Sequence, residues 1–437
     1  MRLAATRFVS AVVFSLCALV IAAFAAPGAS AARAARKAQP PSEDPTQTAQ
    51  AACQGRQLPP PPIDTSEEPE PGQPSPAPLP IPEDPIGGAR MGECGIVLPE
   101  GAEAPPTVAS AAWLIADLDT GAVLAAKEPH ARERPASLIK NLLAVVVIRE
   151  LSPDTKVVGT QEDADQEGSK AGVGPGGVYT VDQLLHGLVM VSGNDTAHAL
   201  ARTLGGVDVA LEKMNALAME IGALDTRAAT PSGLDGPGMT TSAYDQSLIY
   251  RAAMKHEQFA EAIGTRQFDF PGYGGKSSFK LNNDNRLLGS YDGFLGGKTG
   301  FTDDARHTYV GGAEQGEHRL SVVMLRGERI QGEYLADQAA RLLDYGFTLA
   351  GSNTKPVGEL VDKAPEAQPK QDPSHSDDPT ATANAQPENK AQSEAAPRAP
   401  SAFGNVGLPL VAFAGVVILI GVALWIRRRR ARAARSA

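Results

Sequence analysis

A chain of 437 residues with 42% hydrophobic residues is long enough for a substantial core plus accessory segments. Its formal net charge of −10 argues against nucleic acid as a partner, because an acidic surface repels phosphates, and it suits a soluble exported surface. The seven histidines are scattered, with no His-Glu-x-x-His pair and no Gly-x-Ser-x-Gly elbow, so a zinc peptidase or an esterase is poorly supported and no metal or cofactor is expected.

At the start, Arg2 and Arg7 flank an apolar run from Phe8 to Ala26 that ends in Ala29-Ser30-Ala31. This is the pattern of a secretory signal peptide over 1–31, cleaved near Ala31, although the long run also fits an uncleaved membrane anchor. Residues 32–94 follow as a proline-rich segment, with 15 of the chain's 35 prolines lying between 36 and 92. With so few large apolar residues it is expected to be a disordered spacer, unable to offset the entropy of ordering. Cys53 and Cys94 are the cysteines left after the signal segment; in an exported chain they suggest a disulfide, and two free or intermolecular thiols fit the spacing equally.

The folded domain is expected over 95–362. Ala111–Ala116 and Ala122–Lys127 read as a strand hairpin around Asp117-Leu118-Asp119-Thr120-Gly121. After Pro135, Leu138–Leu151 is apolar on nearly all sides, as a helix buried in the middle of a domain would be. Thr180 and Gln183 form a capping-box pattern for a helix through about Met190, and another helix is predicted after Asn194. Thr308–Ala313 and Arg319–Leu325 predict a second hairpin, with Lys298 on or just before an edge strand, and a last helix covers roughly Tyr334–Tyr345. Strands at both ends of a helical middle give an α+β architecture in which distant strands share one sheet.

Beyond the domain, residues 363–403 form a Pro/Ala-rich stalk, which by random-coil scaling would hold the domain roughly 35 Å from a membrane. The uncharged run Leu408–Ile426, within a segment 404–426, is long enough to span a bilayer as a helix, and the arginines of the tail 427–437 belong on the cytoplasmic side. A single-pass membrane protein with an extracytoplasmic domain is therefore expected.

Three strings within the domain carry chemistry. Ser137-Leu138-Ile139-Lys140 puts a lysine on the same helix face as a serine, beside helix amides; Ser192-Gly193-Asn194 supplies a second hydroxyl and an amide; Lys298-Thr299-Gly300 places a cation beside a hydroxyl. Serine-x-x-lysine alone is weak, since Ser277–Lys280 and Ser352–Lys355 match it too, but Ser137 alone precedes both partner strings in order.

With these strings the chain resembles the penicillin-recognising serine hydrolases, most closely the exported D-alanyl-D-alanine carboxypeptidases of actinobacteria. The resemblance runs over about 108–350 and includes Ala112–Gly121, Ser192-Gly193-Asn194-Asp195 and Pro231-Ser232-Gly233-Leu234. It implies a serine β-lactamase/DD-peptidase-like fold, an antiparallel sheet flanked by helices plus an all-helical subdomain, and peptidoglycan stem peptides and β-lactam inhibitors as partners. By the same resemblance Ser137 is the nucleophile that forms an acyl-enzyme, Lys140 its general base and Ser192 a proton relay. Asn194, Lys298, Thr299 and Gly300 bind substrate, and the backbone amides of Ser137 and Phe301 receive the oxyanion.

Two departures stand out. Thr230 replaces a residue that is often asparagine in the family, and a second small β-domain found in some relatives is not expected, since the stalk starts soon after Val361. A class A β-lactamase shares the three strings but needs a glutamate for deacylation, which the resemblance places near Ala228; no glutamate occurs between Glu220 and Glu257. A non-catalytic wall-binding protein on the same fold has no need of Lys140, Ser192 and Lys298 together. His198 and His307 lie near motifs and receive no role.

Overall fold

The computed structural model describes Cys53, residues 55–352 and residues 354–365. The expected signal segment, stalk, membrane span and basic tail lie outside the described residues, apart from the stalk's first three positions. Among the described residues no helix is long and apolar enough to cross a membrane.

A short strand β1 (Ile96–Val97) precedes the predicted hairpin of β2 (Ser110–Asp117) and β3 (Ala122–Lys127). Asp117 builds its turn: Oδ1 accepts from the Thr120 amide at 2.7 Å and the Thr120 hydroxyl at 2.8 Å, and Gly121 takes a φ of 80° that only glycine adopts without steric cost. Helix α1 (Lys140–Glu150) comes next, then β4 (Lys156–Val158), α2 (Gln161–Asp165) and β5 (Val178–Thr180). The helical middle continues with α3 (Val181–Met190), α4 (Asn194–Thr203), α5 (Val207–Glu220), α6 (Ala243–Met254) and α7 (Glu257–Gly264). Helix α3 starts at the capping box read from sequence, with Thr180 Oγ1 accepting from the Gln183 amide at 3.0 Å and Gln183 returning the bond at 2.9 Å. A small hairpin of β6 (Gln267–Phe270) and β7 (Phe279–Asn282) leads to β8 (Phe294–Thr302), β9 (Arg306–Gln315), β10 (His318–Gly327), helix α8 (Leu335–Ala350) and β11 (Gly358–Glu359).

The main sheet has the order β1-β3-β2-β10-β9-β8, with β11 also on β3, and its ladders are antiparallel. Its two halves come from opposite ends of the domain: β2 pairs with β10 in a register that sets Trp113 against Met324 and Ile115 against Val322. Alternation then sorts side chains by face. Trp113, Ile115, Leu320, Val322 and Met324 pack under α8, while Ala112, Leu114, Val323 and Leu325 join the core beneath the helical middle. Helix α1 runs through that core with Lys140–Val147 buried, which is why its sequence is apolar on every side. A tight 3-10 turn over Ala136–Ile139 precedes it, so Ser137 sits ahead of the α-helix proper and not within it.

The proline-rich segment departs from expectation. Residues 55–94 are laid along the domain, and Cys53 bonds to Cys94 with a Cα–Cα distance of 5.4 Å. The physical reason is that proline carries no N–H, so such a segment offers mostly carbonyls, and buried guanidinium groups can satisfy these without an apolar core. Arg132 donates to the carbonyls of Gln57, Leu79 and Pro80 at 2.7–2.9 Å, Arg134 to Pro60 at 2.8 Å, and Arg227 to Ala77 at 2.9 Å. His130 holds the Ile86 carbonyl at 2.9 Å and, with Arg132, the buried carboxylate of Asp225 at 2.8 and 3.1 Å. This segment is a strap, not a free spacer.

Closing a loop with Cys53 and Cys94, 41 positions apart, removes chain entropy worth about 4 kcal/mol. Replacing both by serine should lower the urea midpoint by a corresponding amount and open the strap to proteolysis ahead of residue 94, as read by mass spectrometry of the fragments.

Candidate active site

Four segments meet at Ser137. The turn that carries it is held open at an uncommon backbone position, Ala136 at φ 46°, and Thr308 of β9 pins it by donating to the Pro135 carbonyl at 2.9 Å. From α1, Lys140 reaches back one turn so that Nζ lies 2.8 Å from Ser137 Oγ. The same ammonium position contacts Asn194 Oδ1 at 2.7 Å and the Ser232 carbonyl, the last of these a short bond. Ser137 Oγ is itself 3.5 Å from the Ser232 carbonyl.

Asn194 is the first residue of α4 and is clamped at both its amides, its side chain to the Glu167 carbonyl at 2.6 Å and its backbone to the Ser169 carbonyl at 2.7 Å. Ser192 lies two residues earlier in the loop between α3 and α4, 6% exposed and at a left-handed φ of 60°. No hydrogen bond joins it to Ser137 or Lys140. Asp195 braces the facing loop by accepting from the amides of Ala171, Gly172 and Val173 at 2.7–2.9 Å.

The fourth wall is β8, the sheet's edge strand, as the pattern around Lys298 predicts. Lys298 is fully buried and donates to the Thr299 carbonyl at 2.7 Å; Thr299 Oγ1 donates to Asp284 at 3.1 Å. Gly300 passes so close to the turn carrying Ser137 that an added Cβ would stand 2.9 Å from the Ser137 amide nitrogen and 2.3 Å from Thr308 Oγ1. That approach brings the backbone of Gly300 and Phe301 alongside Ser137. Opposite it, Gly233 at φ 87° allows its backbone to press on Ala136, where a Cβ would fall 2.0 Å from the carbonyl oxygen.

Both lysines are uncharged more readily than usual. Burial pushes the Lys140 amine well below the ordinary lysine value, and the Lys298 charge pushes it further, against a smaller opposing pull from Asp195 and Asp284. Burial likewise lowers Lys298, with Asp284 opposing. The arrangement can therefore present a neutral amine to a serine hydroxyl beside a second cation.

The sequence strings are thus brought together at one site, whereas the look-alikes are not. Ser277 lies in an exposed loop and Lys280 pairs with Asp269 at 2.7 Å; Ser352 follows α8 and bonds the Leu349 carbonyl at 2.7 Å. His198 is spent on Asp163 at 2.6 Å, and His307 makes a tilted ring contact with Phe301 at a centroid distance of 4.8 Å. Sequence reasoning passed over Asp195, Ser232, Asp284 and Thr308. Of these, Asp195 and Ser232 stand in strings that were quoted for the resemblance; Asp284 and Thr308 carry no local signal.

The family model described as D-alanyl-D-alanine carboxypeptidase matches residues 100–328, just over half of the chain. The chain belongs to that family. Similar members include D-alanyl-D-alanine carboxypeptidase DacB2 of Mycobacterium tuberculosis, 44% identical over 256 residues that cover 58% of this chain and 87% of the relative. DacF of Bacillus subtilis is 32% identical over 54% of this chain and 61% of its own length. Among solved structures, a D-alanyl-D-alanine carboxypeptidase of M. tuberculosis superposes with a TM-score of 0.58 at 43% identity, covering 60% of this chain and all of that one. A variant of the Streptomyces K15 DD-transpeptidase gives 0.53 at 28% identity, with 56% and 99% coverage. The protein is accordingly a serine D-alanyl-D-alanine carboxypeptidase of the DD-peptidase-like α+β fold.

Gly300→Ala tests the packing of β8 on the turn that carries Ser137. It should cost about 1–3 kcal/mol of stability by overpacking and lower carboxypeptidase activity about a hundredfold by moving the backbone beside Ser137, measured by thermal unfolding and D-alanine release.

Proposed function

We propose that this carboxypeptidase removes the terminal D-alanine of peptidoglycan stem peptides through an acyl-enzyme on Ser137, and that penicillins inhibit it by acylating the same residue. The observation that carries the reading is the 2.8 Å contact between Ser137 Oγ and a Lys140 amine whose pKa burial and the Lys298 charge push well below the ordinary lysine value. Lys140 takes the Ser137 proton as Oγ attacks the carbonyl of the penultimate D-alanine; the tetrahedral oxyanion lies between the amides of Ser137 and Phe301. Ser192 delivers its proton to the leaving nitrogen and is reprotonated from Lys140, so D-alanine departs with Lys140 neutral again; water then attacks the ester, giving its proton to Lys140, which returns it to Ser137 Oγ as the acyl group leaves. Asn194 holds the substrate amide, and Lys298 with Thr299 receives the terminal carboxylate, a charge that a buried cation attracts strongly.

Rapid β-lactam turnover is not part of this reading. Position 228, where a deacylating glutamate would fall by resemblance, is a buried alanine. A long-lived penicilloyl adduct is therefore expected.

The ends of the sequence support the place of action. The signal pattern of 1–31, the stalk 363–403, the span Leu408–Ile426 and the arginines 427–430 together suit a domain tethered to the outer face of the cell membrane, within reach of D-alanyl peptides.

Ser137→Ala should abolish both D-alanine release from a diacetyl-lysyl-D-alanyl-D-alanine substrate and covalent labelling by penicillin. Rapid penicillin turnover without an adduct, or labelling at Ser277 or Ser352, would overturn the proposal. The pH dependence supplies a second check. Lys140 must be neutral to act, so kcat/KM should rise with pH through its lowered pKa, well below the range of an ordinary lysine. Lys298→Ala removes the like charge, which raises the Lys140 pKa and should move that limb to higher pH whatever it does to the absolute rate.

A further inference from the structure

The strap meets the catalytic domain at one place where it has more to do than cover surface. Arg134 lies three residues before Ser137 and is almost wholly buried; Glu67 of the strap grips its guanidinium through two oxygens, one bond short and the other 2.8 Å, and Pro60 takes a third donor. Asp304 lies three residues after Phe301 in the turn between β8 and β9, is 7% exposed, and accepts from the backbone amide of Ile63 at 2.6 Å. Its other carboxylate oxygen, Oδ2, is buried without a partner, so the Ile63 amide is the bond that fixes it. Between them Thr302 donates to Asp235 at 3.0 Å and accepts from the Ala305 amide at 2.9 Å, which keeps that turn continuous with the loop of Ser232.

Ile63 and Glu67, four positions apart on one segment, therefore tie the chain leading into Ser137 to the chain leaving Phe301. These are the two stretches whose backbone amides must converge on one oxygen. We propose that the strap is a positioning element for the oxyanion site, acting through the Glu67 side chain on Arg134 and the Ile63 amide on Asp304. Backbone donors have no rotamers with which to adjust; their aim depends on how the chain on either side is held, and a small misplacement at such donors is costly. The nucleophile turn needs this because Ala136 sits at a left-handed φ that the surroundings must enforce.

The inference rests on the acyl-transfer reading given above, and the test separates the two. Ile63→Pro removes the N–H that reaches Asp304 along with a side chain that is 69% exposed, in a stretch that already contains Pro59 to Pro62; Glu67→Gln removes the negative charge that faces Arg134. Arg227→Ala, which frees the strap at Ala77 and touches neither stretch, is the control. In the full-length protein, kcat for D-alanine release and the rate of penicillin acylation should each fall about tenfold in Ile63→Pro and in Glu67→Gln, with KM changed by less than about twofold. Arg227→Ala should keep the parental kcat even if its unfolding temperature drops. Parental kcat and acylation rates in both strap variants, or falls in all three variants that merely follow their loss of stability, would overturn the inference. Absence of D-alanine release and of Ser137 labelling in the parent would instead overturn the acyl-transfer reading.

Discussion

Two fully buried amines, Lys140 and Lys298, in one small volume are the constraint on which the rest of the site depends. A desolvated ammonium costs several kcal/mol unless it is paired or loses its proton. The fold meets this with carbonyl and amide oxygens of Ser232, Asn194 and Thr299, which are good acceptors without a formal negative charge, so the proton is held weakly. A carboxylate in place of the Asn194 or Ser232 oxygen would have favoured the charged form of Lys140. The acidic groups that do act on the pair, Asp195 and Asp284, exert the smaller effect. Asp195 spends its oxygens on the amides of Ala171, Gly172 and Val173, and Asp284 is exposed.

Geometry follows from the same requirement. To bury Lys140, the helix that carries it must cross the interior, so α1 is apolar all round and lies between the sheet and the other helices. To bury Lys298, its strand must lie against that helix start; glycine at 300 lets β8 come within contact of the turn. The strap solves a different problem with related means. Its prolines remove donors from the backbone, and arginines on the domain supply them, so a stretch without an apolar core is held by carbonyl-to-guanidinium bonds and one disulfide.

Local signals in the sequence made part of this legible. The hairpin at Asp117–Gly121, the capping box at Thr180 and Gln183, and the all-round apolar run after Ser137 each report an element through nearest neighbours alone, and each element forms. The ordered serine-x-x-lysine, serine-x-asparagine and lysine-threonine-glycine strings identified residues that the fold brings to one place although Ser137 and Lys298 lie 161 positions apart. What local reading missed depends on distant partners. The order of the strap could not be inferred from its own composition, because the groups that hold it, Arg132, Arg134 and Arg227, belong to the domain. The 3-10 start of the helix at Ala136–Ile139 is imposed by Thr308 and Gly233 from other segments, and periodicity places no such turn.

The backbone at Ser192 bears on what could replace it. Its φ of 60° belongs to the left-handed region, which serine tolerates and which a β-branched side chain resists strongly. Threonine offers the same hydroxyl and differs by one methyl group, so on chemical grounds alone the two would be interchangeable. Here the main chain, not the chemistry, makes the choice: the route by which this loop could drift to its nearest chemical equivalent is closed by a torsion angle, and the hydroxyl at this position is confined to the smaller of the two alcohols.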